Sequence, residues 1–263
     1  MITAYHRPQT LDEALTLLSQ PNTFPLGGGT LLSHSKTDSV EVVDLQALGL
    51  NLLKKSGNDA STLPAVAGQR LEIGATATLQ QLLEDSNCPA ALKSALKLEA
   101  PLNLRNAATA AGTIVSCDGR STFTTALLAL DAKLTIFNPK SEIINLGGFL
   151  PLRPRGLITS IAIPLNVKIA FDYVARTPAD KPIVCVALAQ WPSGRTRLAV
   201  GGYGKAPRLA MDGTESEGVE AAARNAFHES NDEWASAEYR MDVAATLAKR
   251  CLEKNDPEII RFS

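Results

Sequence analysis

Three consecutive glycines ending in a hydroxyl, Gly27-Gly28-Gly29-Thr30, are the residues of this chain whose types and spacing come nearest to chemistry. Glycine carries no Cβ and tolerates positive φ, so such a run lets bare backbone approach a ligand closely. Neighbouring N–H groups turned the same way form a nest for an anion, usually a phosphate. A plain turn is the competing reading, because the run completes neither G-x-G-x-x-G nor G-x-x-x-x-G-K-[ST]. A second segment of small residues, Thr109 to Ser116 (T-A-A-G-T-I-V-S), follows about eighty residues later. Two such segments could supply converging N–H groups to two phosphates.

Other reactive side chains are scattered. Cys88, Cys117, Cys185 and Cys251 show no C-x-x-C spacing, so iron–sulfur or metal ligation within this chain is not expected, and core packing is the simpler reading. His6, His34 and His228 are isolated and give no ligand or catalytic pattern. The 26 basic and 27 acidic residues leave a net charge of −1, with no electrostatic footprint for nucleic acid. No apolar stretch reaches membrane-spanning length and no leader is apparent, so a cytoplasmic protein is expected. The 45% hydrophobic and 20% charged content fits a globule with a full core.

The elements that must position the two segments can be read from periodicity. Ile2 to His6 reads as a strand. Leu11 to Leu18 follows as a helix with Thr10 as cap and Asp12 and Glu13 in its first turn. The glycine run comes next, then a buried strand from Val40 to Leu45. Ser56-Gly57-Asn58-Asp59 marks a turn. Arg70 to Ala75 reads as a strand, Thr78 to Glu84 as a helix capped by Thr78, and Ala90 to Ala100 as a helix stopped by Pro101. A further helix spans Ser121 to Leu130, and strands follow at Lys133 to Phe137 and Leu157 to Ile163. Beyond Pro164 three strand candidates form a meander, with a hairpin turn at Pro192-Ser193-Gly194, and helices at Glu215 to His228 and Ser236 to Glu253 close the chain. A domain boundary is placed near Asn166.

In order along the chain, these segments resemble the FAD-binding medium subunit of molybdenum hydroxylases, the carbon monoxide dehydrogenase and xanthine dehydrogenase flavoprotein family. Y-H-R-P-Q-T-L-D-E-A-L-T-L-L is similar to the family's Y-x-R-P-x-(S/T)-L-x-E-A-x-x-L-L opening. L-G-G-G-T-L-L resembles L-A-G-G-T-D-L-L, and L-R-N-A-A-T-A-A-G-T-I resembles I-R-N-x-G-T-I-G-G-N-I. V-V-D-L, L-E-I-G-A-T-A-T, T-A-L-L-A-L-D-A-K-L and the closing A-S-A-E-Y-R-M-D-V-A-A-T-L-A-K-R complete the set.

The resemblance implies an α+β chain. A two-subdomain FAD-binding fold of the PCMH type would cover residues 1–165, with subdomains of about 1–55 and 56–165. A smaller α+β domain with a three-stranded antiparallel sheet and helices would cover 166–263. It implies that Leu26, Gly27, Gly28, Gly29, Thr30 and Leu31 form one pyrophosphate loop and Thr109, Ala111, Gly112 and Thr113 the other. Ser121 and Thr122 would then lie near the pyrophosphate or ribityl chain. It further implies FAD as cofactor, a molybdopterin-binding large subunit and a two-iron, two-sulfur small subunit as partners, and electron transfer from the clusters through FAD to an external acceptor. The chain departs from the family pattern at Leu31, where Asp is usual, at Ala111 and Thr113 in the second loop, and at Thr122, another Asp position. These losses motivate an alternative: a homologue without flavin that serves as a structural or assembly subunit. Arg120 offers a further phosphate contact or a solvated charge, Arg105-Asn106 a brace for the second loop, and Tyr173 a ring that could lie over the flavin or simply pack. Tyr239-Arg240 reads as helix packing or a partner contact.

Overall fold

The computed structural model describes residues 2–30, 39–57 and 68–256. Leu31, His34, Asn58 and Asp59 lie outside the described residues. Chain order begins with β1 (Ile2–His6), α1 (Leu11–Leu18), β2 (Thr23–Leu26) and β3 (Val40–Asp44). The strands form a parallel sheet in the order β1-β3-β2. Thr10 caps α1 by accepting from the Glu13 N–H, and Glu13 accepts in return from Gln9 N–H. The apolar stripe of α1, centred on Ala14, packs on Val43 and Leu45.

The second group of elements is β4 (Leu53–Ser56), β5 (Arg70–Gly74), α2 (Leu79–Glu84), α3 (Ala90–Glu99), α4 (Leu102–Arg105), α5 (Ala110–Ser116), α6 (Thr122–Ala129), β6 (Lys133–Asn138), β7 (Lys140–Asn145), α7 (Leu146–Leu152) and β8 (Leu157–Pro164). Its strands form one antiparallel sheet, β4-β5-β8-β6-β7. Apolar residues Leu71, Ile73, Leu134, Ile136, Ile161 and Ile163 alternate onto the face that the helices cover. Thr78 begins α2 with a full capping box, its partner being Gln81.

The remainder is β9 (Lys168–Val174), β10 (Val184–Gln190), β11 (Thr196–Gly201), β12 (Arg208–Gly213), α8 (Val219–Asn225) and α9 (Ala237–Asn255). The sheet is antiparallel and has four strands, β12-β11-β10-β9, rather than the three read from sequence. The added strand, β12, is an edge with little buried surface, so it lacks the apolar run that marks its neighbours. One face of this sheet meets α8 and α9 through Val186, Leu188, Leu198 and Val200. The other face puts Cys185, Ala187, Ala189 and Ala199 against the cluster that contains Phe123, Ala126 and Leu127 of α6. Helix α6 is therefore buried along its whole length.

Arg197 and Asp131 tie the far end of α6 to this sheet. The Arg197 guanidinium donates to Leu128 O at 3.1 Å and pairs with Asp131 at 3.5 Å and Asp212 at 2.5 Å. Arg195 joins the same two carboxylates and holds Asp212 below the ordinary carboxylate range. Among the described residues no helix is long and apolar enough to cross a membrane.

Candidate functional site

The two small-residue segments meet. A methyl built on Gly28 would lie 1.6 Å from Ala107 O, and one built on Gly27 would lie 2.7 Å from Thr109 Oγ1. A methyl on Gly112 would meet the same Thr109 hydroxyl, also at 2.7 Å. Thr109 is thus held between a glycine of each segment. Gly28 is needed because backbone packs on backbone, Gly27 and Gly112 because the Thr109 side chain lies against them, and of these four only Gly29, at φ +70°, needs glycine for its conformation.

The segments are not alike. Thr109 to Thr113 is the cap and first turn of α5, not a loop. Its N–H groups are already answered: Ala110 donates to Ala77 O at 2.8 Å, Ala111 to Ala75 O at 3.1 Å, Gly112 to Thr109 Oγ1 at 3.2 Å and Thr113 to Thr109 O at 2.9 Å. The Thr113 hydroxyl also donates to Thr109 O, at 2.9 Å. From Ala110 to Thr113 this segment contributes a wall and a fixed backbone, with no spare N–H donors. The first segment is the opposite. After Leu26 leaves β2, the N–H groups of Gly27, Gly28 and Gly29 have no hydrogen-bond partner among the described residues. Three successive half-buried N–H groups, one on a residue with left-handed φ, have the chemistry of an anion nest.

Ser121 and Thr122 are placed elsewhere. Both are fully buried at the start of α6. Ser121 caps that helix, and its hydroxyl reaches Glu99 Oε2 at 2.9 Å. The Thr122 hydroxyl donates to Ala95 O at 2.7 Å and to Glu99 Oε2 at 3.2 Å, and Phe123 N–H donates to the same oxygen at 2.8 Å. Glu99, at the end of α3, is therefore the carboxylate at the mouth of α6. Burial pushes its pKa up, against the opposing pull of the Phe123 N–H and the Ser121 hydroxyl. Nothing in the spacing around Glu99 distinguishes it from an ordinary residue of a helix end.

At the far end of α5 a cleft of about 800 Å³ opens between the second and third groups of elements. Leu128, Leu150, Pro151 and Leu209 give it apolar walls, and Cys117 and Asp118 line its α5 side. Arg153, Lys205 and Arg208 bring three cations to it against the one acid. Asp118 is paired outward with Lys181 at 3.3 Å. Arg153 is a non-glycine residue at φ +40°, where it ends α7. Its guanidinium donates to Val115 O, and to Cys117 O at 3.0 Å. These are carbonyls at the end of α5. A second hollow of about 640 Å³ lies on the polar face of the five-stranded sheet, among Lys54, Glu72, Thr135 and Ser160.

The remaining candidates are structural. Arg105 braces the end of α3 through Ala100 O at 2.7 Å and reaches Gln80 at 3.0 Å. Arg120, half-buried, donates to Pro182 O at 3.0 Å and lies over Trp234, so its guanidinium is engaged there and not by the two small-residue segments. Tyr173 stacks on Phe171 with ring centroids 6.2 Å apart. Arg240, in the first turn of α9, is buried and bonded to Ala235 O and Asp232, while Tyr239 stays exposed. Burial pushes the thiols of Cys88, Cys185 and Cys251 up to about 12, and it raises that of Cys117.

Comparison with known proteins bears on the same segments. The family described as the FAD binding domain in molybdopterin dehydrogenase matches residues 1–166. An Escherichia coli K12 protein described as uncharacterized protein YgfM is 28% identical over 256 residues, covering 94% of each chain. The xanthine dehydrogenase FAD-binding subunit of Escherichia coli O157:H7 is 26% identical over 287 residues, covering 95% of each. Among solved structures, a chain of the carbon monoxide dehydrogenase of Hydrogenophaga pseudoflava superimposes with a TM-score of 0.78 at 22% identity, covering 96% of each chain. That last likeness is one of fold.

Proposed function

Since this chain belongs to the family of FAD-binding domains of molybdopterin dehydrogenases, and its cofactor is accordingly FAD, we propose that it is the flavin-carrying electron-transfer subunit of a molybdenum hydroxylase. The observation that supports this most directly is the junction of the two segments. Gly27 and Gly28 close on Ala107 to Thr109 and leave three N–H groups without a partner among the described residues. Those groups would hold the pyrophosphate, with Thr109 and the first turn of α5 as its floor. A Cβ at Gly28 would strike Ala107 O and force the two segments apart, so glycine there is what lets the cradle close. When bound, the flavin supplies the redox chemistry.

The protein's own work is to fix where the cofactor lies. Helix α5 runs from the phosphate cradle to the cleft, a rise of about 10 Å. We place the ring end of the cofactor in that cleft, where Leu128, Leu150 and Pro151 would exclude water from one side. Ser121 and Thr122, fully occupied with Glu99, are not part of the proposed contact set. They shape the wall from behind.

Electrons must come from outside the chain. Its four thiols are buried and held protonated, so they are poor cluster ligands. We propose an iron–sulfur small subunit as donor and a molybdopterin-binding large subunit as the place where substrate is oxidised. The relative described as a xanthine dehydrogenase FAD-binding subunit, aligned over 95% of both chains, supports such an assembly. Residues 1–165 would carry the cofactor, and 166–263 would complete the cleft and face the cytoplasmic partners. Purification from the native source tests the reading. It requires a yellow chain that releases FAD on denaturation and travels with two larger-complex partners. A colourless chain in an intact assembly would instead favour the flavin-free structural subunit. A flavin-loaded lone monomer would exclude the electron-relay role.

A further inference from the structure

We infer that Arg153 is the electrostatic positioning residue of the cleft, which favours reduced over oxidised flavin; this rests on the proposed seating of the FAD ring there. Four observations converge on it. Arg153 lines the cleft. Its backbone is held at φ +40°, a conformation that is costly for a side chain bearing a Cβ and that persists only where the surroundings enforce it. Its guanidinium is fixed by Val115 O and Cys117 O, so the charge is not free to swing away. The other two cations differ. Arg208 is turned to Ala226 O at 2.9 Å and lies over the Tyr203 ring, and Lys205 has no hydrogen bond or ion pair among the described residues.

The placement has two consequences. The guanidinium answers the carbonyl end of α5, so that end of the helix carries a cation beside the ring. Second, it sets the electrostatics of the ring's surroundings. A flavin that takes up two electrons and one proton gains one negative charge, and a cation held beside it favours that form. Arg153 is solvent-exposed without the cofactor, so screening keeps the effect moderate until the ring covers it.

The test compares Arg153→Gln and Arg153→Lys with the parent chain, each loaded with FAD, by electrode titration of the flavin absorption and by FAD titration of the stripped protein. Both variants keep a donor for the α5 carbonyls, and the exposed position leaves the fold intact. Arg153→Gln should lose about tenfold of the preference for reduced flavin, which lowers the two-electron potential by about 30 mV. Arg153→Lys should stay near the parent, because it keeps the charge. A parent-like potential in Arg153→Gln, or an equal fall in both variants, overturns the inference while leaving FAD binding intact. A parent chain that takes up no FAD overturns the seating as well.

Discussion

Replacing Gly28 by alanine tests the junction of the two segments with the smallest possible change. The new methyl would sit 1.6 Å from Ala107 O and 2.5 Å from its carbonyl carbon. Positive φ is not involved, since Gly28 is absent from the residues with left-handed backbone. The strain is therefore purely one of contact. Restoring an ordinary carbon–oxygen separation needs a displacement of roughly 2 Å between the segments. The Ala107 side does not yield easily: Ala108 O accepts from Leu79 N–H, and Ala110 N–H is held by Ala77 O. Overpacking of this kind costs about 1–3 kcal/mol of stability. Phosphate binding should suffer more. A shift of ~2 Å breaks at least one hydrogen bond to a charged group, worth roughly 1.5–3 kcal/mol, or about 10- to 100-fold in FAD affinity. Fluorescence titration of the stripped chain with FAD, alongside urea unfolding of the apo form, separates the two effects. An alanine variant that unfolds and binds FAD like the parent would refute both the contact argument and the proposed cradle.

Three more outcomes follow from the interior. Thr122→Asp should destabilise the apo chain by about 3 kcal/mol or more, because a carboxylate would replace a donor that faces Ala95 O and Glu99; parent-like urea unfolding would show that Thr122 does not occupy this interior position. Glu99 titrates above its ordinary 4.5 in the folded chain, so the folded form holds that proton more tightly than the unfolded one. Stability should accordingly fall as pH rises from about 4.5 through the folded value, and Glu99→Gln should flatten that part of the profile; an unchanged slope in the variant contradicts the assignment. Arg197→Met leaves Asp131 facing a lost partner and removes the bond to Leu128 O. Because Arg195 still pairs with both carboxylates, the cost should be roughly 1.5–3 kcal/mol, read by the unfolding midpoint, and a loss below about 1 kcal/mol would mean that the ion network contributes little.

What the sequence made legible was mostly local. Thr10 and Thr78 carry cap signals that the chain obeys, because a hydroxyl beside a helix start has one dominant use. Pro101 and Pro164 fall where α3 and β8 end. The glycine run and the segment from Thr109 were visible as a pair, and they do come together. The helix that starts the second of them was not. A-A-G-T-I-V-S mixes glycine with β-branched residues, and its first turn is held by the carbonyls of Ala75 and Ala77, which local propensity does not register. β7 escaped for a similar reason: K-S-E-I-I-N is largely exposed and gains its order from pairing with β6. Glu99 and Arg153 carry no motif at all. Each matters because of what distant segments bring beside it, the start of α6 in one case and the end of α5 in the other.

The burial of α6 on every side has a consequence for how this protein is inherited and handled. Sequence comparison draws a line after residue 166, yet Phe123, Ala126 and Leu127 share one apolar cluster with Cys185, Ala187, Ala189 and Ala199 from beyond that line. A gene fragment ending there would translate into a chain with its central helix bared to water along one side. Recombination that swaps the C-terminal part between relatives would have to preserve the small side chains at 185, 187, 189 and 199, since each lies against that helix layer with no room to grow. The two parts are separable on paper as modules, but one apolar cluster runs through both of them.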